Sequence, residues 1–491
     1  MASTNPQPQP QPRPGPHQPA GATAAGPAPD TPGRIEAHGI DHITEAERHG
    51  RPRELFSIWA AANVNYLSLV IGGALVLMGL SLWQAFAVIV VGNLFWLLTG
   101  YLAISGPASG TPSEVITRAM YGIRGNRVNN AVTGWTISVC YFALNLAAAA
   151  TAAVALIEKT GLSTGAATKA AVVVVIAVLT LAISVYGHAT IVRLYLPMTL
   201  ALTAAFAVVA AAVLARTDFS YAPAEPLTGT ELWATLLAGV TLIASGPLSY
   251  TTSADFSRYL PRTTPARATA GWTALGGFLP GVVVCFLGAC AATVLDMSNP
   301  QSALEGILPS WFGPVFLLAL VLGTIAVNAM TAYSAGLALQ AVGLRIRRSL
   351  SVIVDGVVAV SLTLYALLVS DFLGTVSDVL QLTVILLGPA TAVYATDILL
   401  RRCRYDGRQL TDESPGSPFW YTGGVNPAGA VALLAGAAAA ALCVDTLYTG
   451  PLAEALGGLD LSLPTGLLVS SVLYALLSRR TPPAQPTASG T

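Results

Sequence analysis

Residues Thr241–Arg258 read TLIASGPLSYTTSADFSR. The stretch begins as an apolar helix, meets Ser245-Gly246-Pro247, turns polar at membrane depth and ends on Asp255 and Arg258. Proline has no backbone N–H and its ring clashes with the preceding turn, so a helix here is predicted to break or kink. Inside a bilayer, broken backbone is tolerated only where protein or a water-filled cavity satisfies it. A second candidate break lies at Val70-Ile71-Gly72-Gly73, in the first apolar segment. Interrupted apolar segments at matching places in two halves point to a transporter's binding site. The chain is expected to be organised around this pair.

Composition decides the class. Of 491 residues, 54% are hydrophobic and 10% charged, against roughly 25% charged in soluble domains. That is an all-α integral membrane protein with many spans. The net charge of zero names no partner. Five cysteines (Cys140, Cys285, Cys290, Cys403 and Cys443) show no zinc or CxxC spacing and read as core residues. The sequence holds no phosphate-binding GxxxxGK[ST] loop, no HExxH and no nucleophile elbow. The chain is therefore read as no enzyme and as needing no cofactor or resident metal. Any transport it performs is passive or driven by an ion gradient.

A hydrocarbon core about 30 Å thick needs about 20 apolar residues per helix. Twelve segments qualify: 56–79, 82–104, 129–157, 168–187, 190–215, 232–255, 271–295, 311–341, 350–370, 379–400, 427–447 and 462–478. With the N-terminus inside, all but three (Lys159, Lys169 and Arg216) of the 24 lysines and arginines fall on the inner side. One missed helix would invert every later loop, so this agreement supports twelve spans with both termini cytoplasmic, in the plasma (inner) membrane. Residues 1–33 and 481–491 are Pro-rich and expected to be disordered. Residues 34–54 are either an amphipathic segment at the interface or a solvated linker, and 401–426 form a basic cytoplasmic loop.

Several segments carry polarity that a lipid-facing helix would avoid. The first holds Asn63 and Asn65, while Gly72 and Gly73 allow either close packing or unwinding. In the third, Tyr141 and Asn145 share a face at i, i+4. They are either packing residues or a ring and an amide set for a heterocycle, which needs both. The eighth gathers Thr324, Asn328, Thr331, Tyr333 and Ser334. Gly110–Asn130, between segments 2 and 3, is a gate or a positively charged anchor. Asp355 and Asp397 lie near helix ends, where capping or pairing with Arg347, Arg348 or Arg401 is the favoured reading.

SYTTSADFSRYLP (249–261), with the following GW (271–272) and LGGFLPG (275–281), resembles the purine–cytosine permease family of nucleobase:cation symporters. The resemblance takes in FSIWAAANVNYLSLVIGGALVLMGLSLWQA (56–85), RAMYGIRGN (118–126) and AYSAGLALQAVG (332–343), and spans about residues 39–480. It implies a ten-helix core, 55–400, of two inverted five-helix repeats (55–215 and 231–400). Helices 1 and 6 are broken in that arrangement, and two peripheral helices lie in 427–480. It implies substrate held between helices 1, 3, 6 and 8. On this chain that assigns Tyr141, Asn145 and Asn328, with Thr331 as a shifted alternative, and backbone or space at Val70, Gly72, Ser245 and Gly246. A coupling cation, H+ or Na+, would sit near Val70, Gly73 and Thr324. Two departures stand out. Ser245-Gly246 occupies the place where relatives often carry tryptophan, and Ala326-Val327 replaces the hydroxyl pair of sodium-coupled members.

The implied function is secondary active import of a nucleobase or related nitrogen heterocycle: cytosine, purines, uracil, allantoin or hydantoin. The alternative is a same-fold carrier of an amino acid, a polyamine or a vitamin ring such as thiamine or pyridoxine. The implied partners are the small solute and the bilayer, with no nucleic acid.

Overall fold

The computed structural model describes residues 31–297, 300–369, 372–446 and 448–479, without the side chains of 368–369 and 372–381. Most of both tails expected to be disordered lies outside these residues. The described chain is helical, with turns and two isolated bridges. Among the described residues, nine helices are long and apolar enough to cross a membrane, ten if one bent pair counts as a span. Span 1 is that pair, Glu54–Asn63 and Tyr66–Leu77, bent by 56°. Spans 2 to 5 are Leu82–Ser109, Ile123–Glu158, Ala166–Tyr186 and His188–Leu214, and span 6 is Gly229–Leu248. Spans 7 to 10 are Ala266–Ala292, Gly313–Ala341, Arg348–Leu367 and Leu382–Arg401. These fall on the first ten apolar segments of the sequence, and two shorter apolar helices, Pro427–Leu442 and Ser462–Ser478, fall on the last two. All five cysteines are free thiols, with Cys285, Cys290 and Cys443 buried.

The break in span 1 is not at the glycines. It lies at Val64–Asn65, where Asn65 is extended (φ −138°, ψ 165°). Asn65 satisfies both sides of its own interruption: its Oδ1 accepts from Ser68 N at 2.9 Å and its Nδ2 donates to Ala62 O at 2.6 Å. One short amide thus caps the new helix and serves a carbonyl of the old one. Gly72 and Gly73 sit inside the unbroken Tyr66–Leu77 helix. A Cβ on Gly72 would lie 1.8 Å from the Cys285 carbonyl oxygen, and one on Gly288 would lie 1.9 Å from that of Leu69. The glycines let the backbones of spans 1 and 7 touch, which is the packing alternative rather than the unwinding one.

The second break falls slightly later than the proline. Span 6 carries Pro247 in its last turn and ends at Leu248; a turn follows, then a short helix Ala254–Ser257. The amide that Pro247 lacks is one helical bond, and the next residue but one recovers the pattern, with Ser249 N donating to Ser245 O at 3.0 Å. Span 2 staples both sides. Thr99 Oγ1 donates to Pro247 O at 2.8 Å, Ser253 Oγ to Thr99 O at 2.9 Å, and Ser257 Oγ to Ala103 O at 2.6 Å.

In the segment before span 1, Glu36 is buried against the spans. The Glu36 side chain is 1% exposed. It accepts from Arg258 Nη2 (3.0 Å), Tyr333 OH (3.0 Å), Tyr259 OH (2.5 Å) and His188 N (2.9 Å), and Arg348 Nη2 lies 3.4 Å away. Burial pushes its carboxyl up, but Arg348, Arg258 and the hydrogen bonds outweigh that and hold it at about 2. Asp397 pairs with Arg401 at 2.9 Å, as its position suggested, and also takes the hydroxyls of Tyr405 and Tyr474. Asp355 does not pair with Arg347 or Arg348. Its Oδ1 accepts from the indole Nε1 of Trp135 at 2.5 Å, because Arg348 is committed to Glu36 and to the carbonyls of Ser184 and Val185.

Two predictions follow from this packing. Gly72→Val puts side-chain atoms into backbone that cannot retreat, so the loss should reach or exceed the roughly 1–3 kcal/mol usual for overpacking. A normal yield of monodisperse protein in detergent with an unchanged Tm would contradict the close crossing. Glu36→Ala strands two buried guanidinium groups and should cost about 3–5 kcal/mol. In the intact protein the Glu36 contribution is complete above about pH 4.5 and is lost as the pH falls toward 2, because its carboxyl is lowered from 4.5 to about 2. Melting curves across that window in wild type and variant test it.

Candidate functional site

The two breaks border one cavity of about 90 Å³. Span 1 contributes Asn63, Asn65 and Ser68; the polar groups at its break therefore do double duty as wall and cap. Span 3 carries a π-helical stretch, Asn130–Thr136, after its first α-helical turns, which shifts the register just before the cavity face. That face then presents Ile137, Ser138, Tyr141 and Asn145. Span 8 supplies Val327, Met330, Thr331 and Ser334, at the i, i+3, i+4, i+7 spacing of one helix face. Ser245 and Gly246 come from the last turns of span 6, and Ser249, Tyr250 and Thr252 from the turn after it.

Tyr141 is fixed rather than free. Its hydroxyl donates to Ser245 O at 3.3 Å and lies 3.2 Å from Thr383 Oγ1, so spans 6 and 10 both hold it. Tyr250 is held by aromatic contact. It meets Trp59 edge to face with centroids 4.8 Å apart and stacks beside Trp96 at 5.6 Å, while Trp59 also contacts Phe256 at 5.5 Å. Such contacts orient rings in a way that burial alone does not. Tyr250 is the functional candidate that the sequence reading missed. Its signal was an aromatic residue in the polar run directly after the helix-ending proline. The space beside it is real: a Cβ on Gly246 would meet no heavy atom within 4 Å. The Gly246 position is open, and Tyr250 brings an aromatic ring to the wall from four residues on.

Of the residues assigned to substrate from the sequence, Tyr141, Asn145, Ser245, Gly246 and Thr331 line the cavity, as do Asn63, Asn65 and Ser334 among the polar positions noted there. Asn328 stands behind the wall: it is fully buried, and its Nδ2 donates to Phe142 O at 3.0 Å, tying span 8 to span 3. Val70 and Gly72 are not on the lining, because the break lies earlier in span 1 and Gly72 faces span 7. Gly73 faces Met297 and Gly288. The carbonyls of Val70 and Gly73 lie within a continuous helix, where they serve amides one turn on, and Thr324 is buried in span 8. No opened carbonyl therefore joins Thr324 from Val70 or Gly73. Among the described residues no group of three or more His, Cys, Asp or Glu is placed to hold a metal ion.

Among the described residues the cavity lining contains tyrosines, amides, hydroxyls and apolar groups, and no ionised side chain. Such a surface can sandwich a small flat ring and pair with donors and acceptors on its edge. It offers no counter-charge to an ionised solute, whose desolvation would go uncompensated.

A model of the family described as permeases for cytosine/purines, uracil, thiamine and allantoin matches residues 42–466. A putative purine-cytosine permease, YxlA, of Bacillus subtilis (strain 168) is 26% identical over 459 residues, covering 91% of this chain and 96% of that protein. Mhp1, a nucleobase-cation-symport-1 family transporter, in a closed conformation with bromovinylhydantoin bound, superposes with a TM-score of 0.73 at 20% identity, covering 90% of this chain and 95% of the other. The inward-facing conformation of Mhp1 gives 0.68 at 18% identity, covering 91% and 95%. The structural likeness establishes the fold.

Gly246→Phe tests the cavity. The new ring has open space to enter, so the variant should fold with a Tm within about 1–2 °C of wild type, as expected for a change near zero in stability. It should lose solute binding by at least tenfold in Kd, measured by isothermal titration. Unimpaired binding would remove Gly246 from the site.

Proposed function

Because the chain belongs to the family of permeases for cytosine/purines, uracil, thiamine and allantoin, and is by that membership a nucleobase-related membrane symporter and not an enzyme, we propose that its cargo is a small, uncharged nitrogen heterocycle of the cytosine, purine, uracil, allantoin or hydantoin type. The observation that carries this is the lining: two fixed tyrosines, several amides and hydroxyls and, among the described residues, no charged group. Tyr141 and Tyr250 offer ring faces. Asn145 and Thr331 pair with the amide-like edge, and Ser245 and Gly246 supply backbone and space. Asn328 supports the wall from behind, and the span 1 contribution passes from Val70 and Gly72 to Asn63 and Asn65. An amino acid, a polyamine or thiamine would bring a full charge to this lining, which disfavours those rival cargoes.

The same reading takes the chain as twelve crossings with two inverted five-span repeats. Interruptions at the first span of each five support it. The N-terminal segment, the loop after span 2, the loop after span 6 and the loop after span 10 meet at one end, through contacts such as Arg258 to Gly39 and Arg118 to Glu413. That arginine-rich end is proposed as cytoplasmic. Alternating access then exposes the cavity to each side in turn. Sodium at Val70, Gly73 and Thr324 would require carbonyls that span 1 keeps in its helix, which favours the proton as coupling ion.

Reconstituted into liposomes with an imposed pH or sodium gradient, the protein should concentrate at least one labelled heterocycle from a panel of cytosine, hypoxanthine, uracil, allantoin and hydantoin. Unlabelled heterocycles should compete and amino acids should not. Asn145→Ala should weaken binding by on the order of 1–3 kcal/mol, the cost of leaving a buried polar partner unpaired. Competition by amino acids alone, or an unaltered Asn145→Ala, would reject the reading.

A further inference from the structure

Five ionisable side chains are buried together at the arginine-rich end: Glu36, Glu114, Asp255, Arg258 and Arg348, each between 0% and 4% exposed. Their hydrogen bonds divide them. Arg258 gives Nη2 to Glu36 and Tyr333 and Nη1 to Gly39 O, and Arg348 gives Nη2 to Glu36 and to the carbonyls of Ser184 and Val185. The hydrogen bonds of both cations thus go to Glu36, Tyr333 and backbone, while Arg258 acts on Asp255 and Glu114 only as a nearby charge. Asp255 relies on neutral donors: Oδ1 takes Ser113 N at 2.9 Å and Oδ2 takes Ser334 Oγ at 2.7 Å. The Glu114 side chain lies against Asp255, and among the described residues neither of its carboxyl oxygens meets a donor from another residue. Its position is nonetheless imposed, because its backbone carbonyl accepts from Asn126 Nδ2 (2.6 Å), Asn130 Nδ2 (3.1 Å) and Thr117 Oγ1 (3.2 Å).

Two observations ask for the same missing particle. A buried carboxyl with both oxygens unmet and a carboxylate beside it can be satisfied by one proton, which turns repulsion into a hydrogen bond. The charge count agrees. Two of these arginines face three carboxyls, so one proton on a carboxyl balances the five side chains, and a net charge in such a setting is costly. Burial and the adjacent Asp255 both push Glu114 well above the ordinary carboxylate range, and burial raises Asp255. The other titratable or charged groups facing the pair are Arg258 after span 6, Tyr333 on span 8 and Tyr394 on span 10.

The pair also has a route to the cavity. Ser334, which donates to Asp255, lines that cavity. Asp255 sits just beyond the break after span 6, and Glu114 on the loop between spans 2 and 3. We propose that Glu114 and Asp255 together form a proton-binding site that links these two elements and carries the coupling proton of the symporter, an inference that rests on the transport reading above. Loading forms the O–H bond on Glu114 and its hydrogen bond to Asp255. Release breaks that O–H bond, passes the proton to water at the cytoplasmic end and leaves two buried carboxylates that push the elements apart.

The test has one arm with no substrate. Infrared difference spectra of the detergent-solubilised protein between acid and alkaline pH should show a protonated-carboxyl C=O band that is absent in Glu114→Gln and displaced in Asp255→Asn. Glutamine keeps the shape and neutrality of the protonated acid, so Glu114→Gln should fold, and its Tm should be flat where that of wild type falls with rising pH. In liposomes, outside acidification should raise wild-type uptake severalfold and leave Glu114→Gln unmoved. A band that survives in Glu114→Gln, no band in wild type, or uptake driven by sodium and indifferent to the pH gradient would each overturn the proposal. A titrating pair in a protein that moves no heterocycle would support the site and refute the cargo.

Discussion

Every opened backbone group inside a bilayer needs a partner supplied by the protein, and this requirement shapes the centre of the molecule. At the first interruption one residue, Asn65, serves both helix halves at 2.6 and 2.9 Å. At the second, span 2 supplies the partners, with Thr99 accepting from Ser253 and donating to Pro247 O. The interruptions are therefore stable features and not frayed helix ends. What they leave over is a short length of polar wall facing a small cavity, and the ligand chemistry follows from that remainder.

Packing around the breaks converts a local requirement into a site. Spans 1 and 7 approach through Gly72 and Gly288 until backbone meets backbone, which fixes the first half of the wall. Asn328 draws span 8 onto Phe142 of span 3, so the faces carrying Thr331 and Tyr141 are held in register. Tyr250 gains its place from Trp59 and Trp96, residues of two other spans. The wall is thus positioned by residues one layer behind it, and polar residues such as Asn328 hold the wall without lining the cavity.

The spans were legible because hydrophobicity is a local property that a window of sequence carries. The breaks were legible only approximately. Pro247 signalled an end, but a proline in the last turn forfeits one bond, and the turn came after it. The Gly72-Gly73 pair suggested unwinding, yet glycine equally permits contact, and only the neighbouring Cys285 carbonyl decides between them. Tyr141 and Asn145 were readable from i, i+4 spacing, and both line the cavity. Glu36 was not readable, since its partners lie more than 150 positions away. For Glu114 the sequence offered a loop read as gate or anchor, and nothing in its neighbours foretold Asp255.

Charge is distributed between the two functional regions in opposite ways. Among the described residues the cavity wall is uncharged, whereas the end beyond it holds buried arginines and carboxyls, Arg258, Arg348, Glu36, Glu114 and Asp255 among them. A neutral cargo needs no counter-ion, and a site free of fixed charge binds it without paying a desolvation penalty on the protein side. The same neutrality means that the membrane potential does not act on the cargo, which by itself can only run down its own concentration gradient. Energy must then enter through another group whose charge changes during the cycle, and that group must touch elements beside the cavity. Ser334, with one face on the cavity and its hydroxyl on Asp255, is where the neutral and the charged regions meet.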